Sequence, residues 1–150
     1  MQIYVDADAC PRPVREVILR AAQRTETMAT FIANHHVPLP RSRWVQSRQV
    51  EAGFDVADRR IMELIEVGDL VITQDIPLAA EVVARGAVAL NPRGTTYTRE
   101  NVQAHLARRN FMEELRSGGI ETRGPEAFDK ATLARFANAL DRFLARALRS

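Results

Sequence analysis

The sequence predicts a three-layer α/β/α domain: a mostly parallel sheet of about five strands, with additional C-terminal helices, in a single domain spanning 1–150. Three observations carry this expectation. Short apolar runs rich in β-branched residues alternate with segments of 3.6-residue apolar periodicity, the order that gives parallel strands joined by crossover helices. The strands read as nearly unbroken apolar runs, as strands covered on both faces do. The chain has 150 residues, 46% hydrophobic and 27% charged, with no repeat or linker, which is enough for one sizeable core.

In order along the chain, QIYVDAD (2–8) is a strand of mostly buried type. PRPVREVILRAAQR (11–24) is a helix with Val14, Val17, Ile18, Ala21 and Ala22 on one stripe. Its prolines, Pro11 and Pro13, fit the first turn, where no amide hydrogen is needed. TMATFIA (27–33) is the second strand, and after the NHHVPLPRS loop (34–42), RWVQSRQV (43–50) is a weaker third. DVADRRIMELIEVG (55–68) is a helix with Ala57, Ile61, Leu64 and Ile65 on its apolar side and Gly68 as its stop. DLVITQD (69–75) is the clearest strand. IPLAAEVVARG (76–86) is a helix closed by Gly86, AVALN (87–91) a last strand, and PRGTTYT (92–98) a turn-rich loop. Thr98 reads as the N-cap of a helix running to Gly118-Gly119, with Tyr97 and Val102 as a hydrophobic staple. A final amphipathic helix carries Leu133, Phe136, Ala137, Leu140, Phe143, Leu144 and Leu148.

The formal charge is only +2, and Lys130 is the sole lysine among 21 lysines and arginines. Any basic patch must therefore come from clustered arginines, whose planar donors grip phosphate and stay charged. Cys10 is the single cysteine, so no internal disulfide forms and a two-cysteine redox motif is excluded. Glu16 stands where a cysteine-based phosphatase needs an arginine, and His35 and His36 have no third ligand at zinc spacing. No apolar run is long enough to span a bilayer. With no secretory pattern at its start, the chain is expected to be cytoplasmic, with no membrane partner.

In an open parallel sheet, sites form outside the carboxyl ends of the strands. Asp6 and Asp8 sit at the end of the first strand, two apart and on one face if strand geometry persists. Asp75 ends LVITQD, and Asp55 and Asp58 open the helix after the third strand, so all are expected at the same rim. Asp69 starts its strand and belongs to the opposite edge. Asp55 also reads as a natural N-cap, and Asp8 and Asp75 can cap the helices that follow them. Crowded carboxylates raise each other's pKa, and a divalent cation relieves that repulsion. All-oxygen ligands favour hard cations, so Mg²⁺ or Mn²⁺ is the expected cofactor, with Asp6, Asp8, Asp58 and Asp75 as candidate ligands.

The strand ending in Asp6, the ADRRI helix start with Asp58 and the GDLVITQD segment with Asp75 resemble the acidic framework of PIN-like nuclease domains. VDADACP, GFDVADRRI, GDLVITQDIPLA, NPRGTTYT and RGPEAFDKA together resemble the bacterial YaiI/YqxD family over nearly the whole chain. The resemblance implies a PIN-like fold and a metal-dependent nuclease acting on single-stranded RNA, with Asp6, Asp58 and Asp75 catalytic. One further acid, which such nucleases usually carry on a middle helix, has no clear equivalent unless Asp8 or Asp55 substitutes.

On that reading the candidate substrate contacts are Arg12 beside the site, Arg41, Arg43 and Arg48 around a stacking Trp44, and Arg93, Thr95 and Thr96 in the last loop. Two rivals remain. One is a catalytically degenerate PIN-like module that binds nucleic acid or protein. The other is a phosphatase of the haloacid dehalogenase kind, with Asp6 as nucleophile and Asp8 as general acid. That chemistry needs a lysine between its acidic motifs, and Lys130 comes too late in the chain.

Overall fold

A computed structural model describes residues 1–121 and 127–149. Positions 123–126 of the RGPEAFDKA segment lie outside the described residues. β1 (Ile3–Asp6) runs into a single 3-10 turn (Ala7–Ala9), followed by α1 (Arg12–Thr25), β2 (Ala29–Ala33), β3 (Val45–Gln49), α2 (Val56–Leu64), β4 (Leu70–Ile72) and α3 (Ile76–Ala84). β5 (Val88–Leu90), β6 (Thr96–Tyr97), α4 (Val102–Ser117) and α5 (Lys130–Ala147) complete the chain. Among the described residues no helix is long and apolar enough to cross a membrane.

The sheet order is β3-β2-β1-β4-β5-β6. β1 to β5 are parallel, with Val5 opposite Phe31 on one side and Ile72 on the other, and β6 is antiparallel to β5. The chain therefore builds outward from β1 through β2 to β3, then crosses back to lay β4 on β1's free side. That reversal makes β1 and β4 the switch point of the sheet, and the crevice beyond their carboxyl ends is where such sheets bind ligands.

The two-residue period of the strands divides the core. Ile3, Val5, Phe31, Leu70, Ile72 and Leu90 face α1 and α5, while Tyr4, Ile32, Val71 and Ala89 face α2 and α3. Asp6 lies two residues after Tyr4, so its side chain falls on the α2/α3 face. α5 closes the other layer with Phe136, Leu140 and Leu144, all buried, each contributing about 1.5–3 kcal/mol.

The three-layer architecture is as expected, and several local expectations change. The first strand stops at Asp6, and the 3-10 turn ends the alternation that placed Asp8 on Asp6's face. α2 ends at Leu64, four residues before Gly68. There the Asp69 carboxylate accepts from the backbone N–H of Glu66 and of Gln2 and ties the turn to β1. β4 is only Leu70–Ile72, so Asp75 is the N-cap of α3 rather than a strand end. The loop after β5 contains a short sixth strand. α4 is regular only from Val102, but Thr98 caps its start as expected: its hydroxyl accepts from the Asn101 N–H at 3.2 Å, its carbonyl from the Val102 N–H, and the Asn101 side chain accepts in return from the Thr98 N–H at 2.9 Å. In the β5–β6 loop Gly94 has φ of +96°, and a Cβ there would lie 2.8 Å from the Arg135 carbonyl carbon. Only glycine lets this loop press onto α5.

Candidate active site

Thr73, the first residue after β4, organises the crevice. It is 1% exposed, and its hydroxyl donates to Asp6 Oδ2 at 2.9 Å while accepting from the Asp75 backbone N–H at 3.0 Å. Asp75 adopts extended backbone at the start of α3, and its Oδ1 accepts from the Leu78 N–H at 3.0 Å. This is N-capping, with Pro77 in the first turn where its missing N–H costs nothing. Asp58 enters from the first turn of α2, one turn before the buried Ile61. Its carboxyl lies within hydrogen-bonding reach of Asp75.

The electrostatics follow from that crowding. Burial, then the hydrogen bond and charge of Asp75, then the charges of Asp6 and Asp55, push the Asp58 carboxyl up to about 7. Asp6 is also raised, by burial first and by the charges of Asp75 and Asp8, with the Thr73 hydrogen bond pulling the other way. Two open cavities meet here. One of about 510 Å³ is walled by Phe54, Asp55, Asp58 and Met62, the other of about 460 Å³ by Asp6, Asp8 and Gln74. They share Asp75, Pro77 and Arg109.

The structure therefore brings Asp6, Asp58 and Asp75 together, and places the other candidate residues elsewhere or in other roles. Asp8 borders the second cavity, but its carboxylate accepts from the Asn34 N–H at 3.1 Å and lies 2.8 Å from His35 Nδ1, so it fastens the β2–β3 loop and does not cap α1. Asp55 occupies the N-cap position of α2 with φ of 63°, yet its side chain makes no capping hydrogen bond. Arg12 pairs with Glu16 at 3.4 Å on the surface of α1. Trp44 precedes β3, and its carbonyl bonds Ala29, the first residue of β2. Arg41, Arg43 and Trp44 therefore belong to the amino end of the sheet, away from the carboxylates, and the Arg43 guanidinium covers the Trp44 ring at 4.9 Å. Arg48 lies further along β3, opposite Ile32 and through it level with Asp6, two strands from β1 and three from β4. Arg93 stacks over Phe128 at 5.8 Å, and Thr95 and Thr96 lie in and beside the edge strand β6. Lys130 opens α5, in the layer on the opposite face of the sheet from Asp58 and Asp75.

Comparison with known proteins adds the lineage. The family model described as "Uncharacterized BCR, YaiI/YqxD family" matches residues 4–146. The chain belongs to the YaiI/YqxD family. Its relatives include a UPF0178 protein of Aeromonas salmonicida (strain A449), 56% identical over 144 residues and covering 96% of each chain. One from Marinobacter nauticus is 55% identical over 146 residues, covering 97% of each chain, and one from Janthinobacterium sp. (strain Marseille) is 53% identical over the same length and coverage. No solved structure matches.

Three features of the YaiI/YqxD crevice escape a reading of the sequence. Thr73 carried a weak signal in the T-x-D spacing before Asp75. Phe54 stands outside the apolar stripe of α2, between Gly53 and Asp55, the mark of an aromatic not used in the core. Arg109 falls on a stripe with His105, Arg108, Met112 and Arg116 at helical spacing, but only the tertiary packing of α4 on α3 brings that stripe to the rim.

Proposed function

We propose that this chain is a divalent-cation-dependent nuclease acting on single-stranded RNA, with Asp6, Asp58 and Asp75 as its catalytic acids and Mg²⁺ or Mn²⁺ as its cofactor. The observation that carries this reading is the meeting of three carboxyls from three segments in the crevice beyond β1 and β4, close enough to raise Asp58 to about 7. Their oxygens have the donor chemistry of a hard-cation site. Among the described residues no three His, Cys, Asp or Glu groups stand where they could hold one metal ion. The protein's share is then the Asp58–Asp75 pair with Asp6 beside it, which fits the habit of Mg²⁺ of taking one or two carboxylates and completing its shell with water and substrate phosphate.

When bound, such a cation lowers the pKa of its water and offsets charge on the scissile phosphate. The chain's own residues supply position and proton balance. Thr73 holds Asp6, the Leu78 N–H holds Asp75, and Asp58 would give up its proton as the cation binds. Arg109 lines both cavities and offsets phosphate charge.

The absence of a three-group metal cluster among the described residues favours a second reading, a catalytically degenerate module that binds nucleic acid or protein. Incubation of the purified chain with a labelled single-stranded RNA in Mn²⁺, Mg²⁺ or EDTA separates the two. Cleavage that needs a cation and is lost in Asp75→Asn is expected; binding without cleavage in either cation would give the second reading.

A further inference from the structure

A third cavity, of about 320 Å³, adjoins the carboxylate rim and is lined by Ile76, His105, Arg108, Arg109, Met112 and Arg116. It shares Ile76 and Arg109 with the cavity that holds Asp6, so the three hollows form one continuous surface with Arg109 on all of them. Its basic wall is a single stripe of α4, because positions 105, 108, 109, 112 and 116 recur at helical spacing. Arg109 is tied to Glu113 at 2.9 Å. Among the described residues the side chains of Arg108 and Arg116 make no hydrogen bond or ion pair. At the other end of the same surface stands Phe54, 92% exposed. An aromatic ring left in water beside a cluster of acids does nothing for the core. Gly53 at φ +155° and Asp55 at φ +63° flank it and turn this segment outward from the start of α2.

We propose that these two ends form the path of a single-stranded nucleic acid: a base stacks on Phe54, the backbone crosses the acid rim, and the following phosphates lie on Arg108, Arg109 and Arg116 of α4. The inference rests on the nucleic-acid half of the reading above and specifies its track. Charge decides the direction. The cavity beside Phe54 carries Asp55, Asp58, Glu63, Asp75 and Glu81 against Arg59 and Arg109, which favours a neutral base there, while the arginine stripe on the far side attracts phosphates. An aromatic platform joined to a basic groove is the usual equipment for single strands, since every base offers a π-face. It also displaces the expected track through Arg41, Arg43 and Trp44, which belong to the other end of the sheet.

The test is a binding titration of a labelled single-stranded RNA in EDTA, repeated over a salt series, so that cleavage plays no part. Each phosphate contact on a single strand contributes about 0.7 to the slope of log K against log salt. The double variant Arg108→Gln/Arg116→Gln is expected to flatten the slope by roughly 1.4. Phe54→Ala should weaken binding about tenfold with little change of slope, and Arg41→Gln/Arg43→Gln should change neither. All of these positions are on the surface, and a melting curve for each variant verifies its fold. An unchanged slope in the α4 variant, a slope flattened only in the Arg41/Arg43 variant, or no binding by the wild type would each overturn the track. Normal binding with no cleavage in Mn²⁺ would remove the nuclease reading and leave the track standing.

Discussion

The Thr73 hydroxyl donates to the Asp6 carboxylate at 2.9 Å across 67 positions of sequence, and the same oxygen accepts from the Asp75 N–H. One buried side chain thereby connects β1, β4 and α3 at the rim. Thr73→Val keeps the shape and deletes both bonds, leaving the Asp75 N–H without its partner. Urea unfolding should show a loss of about 1–3 kcal/mol, with most of it restored in Thr73→Ser. Equal stability of the valine and serine variants would show that the bridge does not hold the rim.

Asp58 makes the stability of the cation-free protein depend on pH in an unusual direction. Its folded-state pKa, about 7, exceeds the ordinary value of 3.8. Between those values the folded chain binds a proton that the unfolded chain has released, so the Asp58 contribution falls as pH rises through about 4 to about 7. In EDTA, Asp58→Asn should match the wild type below pH 4 and be more stable above pH 7. A variant less stable than the wild type at pH 8 would mean that the Asp58 charge is favourable where it stands.

Cys10 tests the exclusion of thiol chemistry. Burial, partly offset by Arg15, pushes its thiol up to about 12, and the thiolate is the reactive form. Iodoacetamide at pH 8 should alkylate the folded protein far more slowly than the urea-unfolded chain. Equal rates would show a thiolate accessible at the rim.

Gly94 tests the contact between the β5–β6 loop and α5. Gly94→Ala adds a Cβ 2.8 Å from the Arg135 backbone at a positive φ, and rigid backbone on the far side leaves nothing to yield. Destabilisation of at least about 1 kcal/mol is expected in thermal melts. A neutral effect would mean that the loop lifts freely.

The alternating β/α order and the apolar stripes were legible because period 2 and period 3.6 are local properties of sequence. The convergence of Asp6, Asp58 and Asp75 was legible for the same reason: each stands next to a recognisable strand end or helix start. Strand order was not, because nothing local states that β4 returns to the free side of β1. That order decides which arginines lie far from the rim, so the cluster around Trp44 looked suitable in sequence, while the helix α4 was legible and its docking beside the rim was not. Asp8 was misplaced by a single 3-10 turn, whose short Ala7–Ala9 span has no periodicity to detect. The Thr98 cap was legible because its hydroxyl stands three residues before the Asn101 N–H that it accepts from, a purely local spacing.

The central claim is that the carboxyls beyond β1 and β4 form a cation site, and a calorimetric Mn²⁺ titration tests it most directly. Binding must displace the proton held at Asp58, so affinity depends on pH. With that group titrating at about 7, a single site should bind roughly tenfold more tightly at pH 8 than at pH 6, and Asp58→Asn and Asp75→Asn should abolish it. The absence of any Mn²⁺ site in the wild type, or a site of unchanged affinity in both variants, would contradict the account.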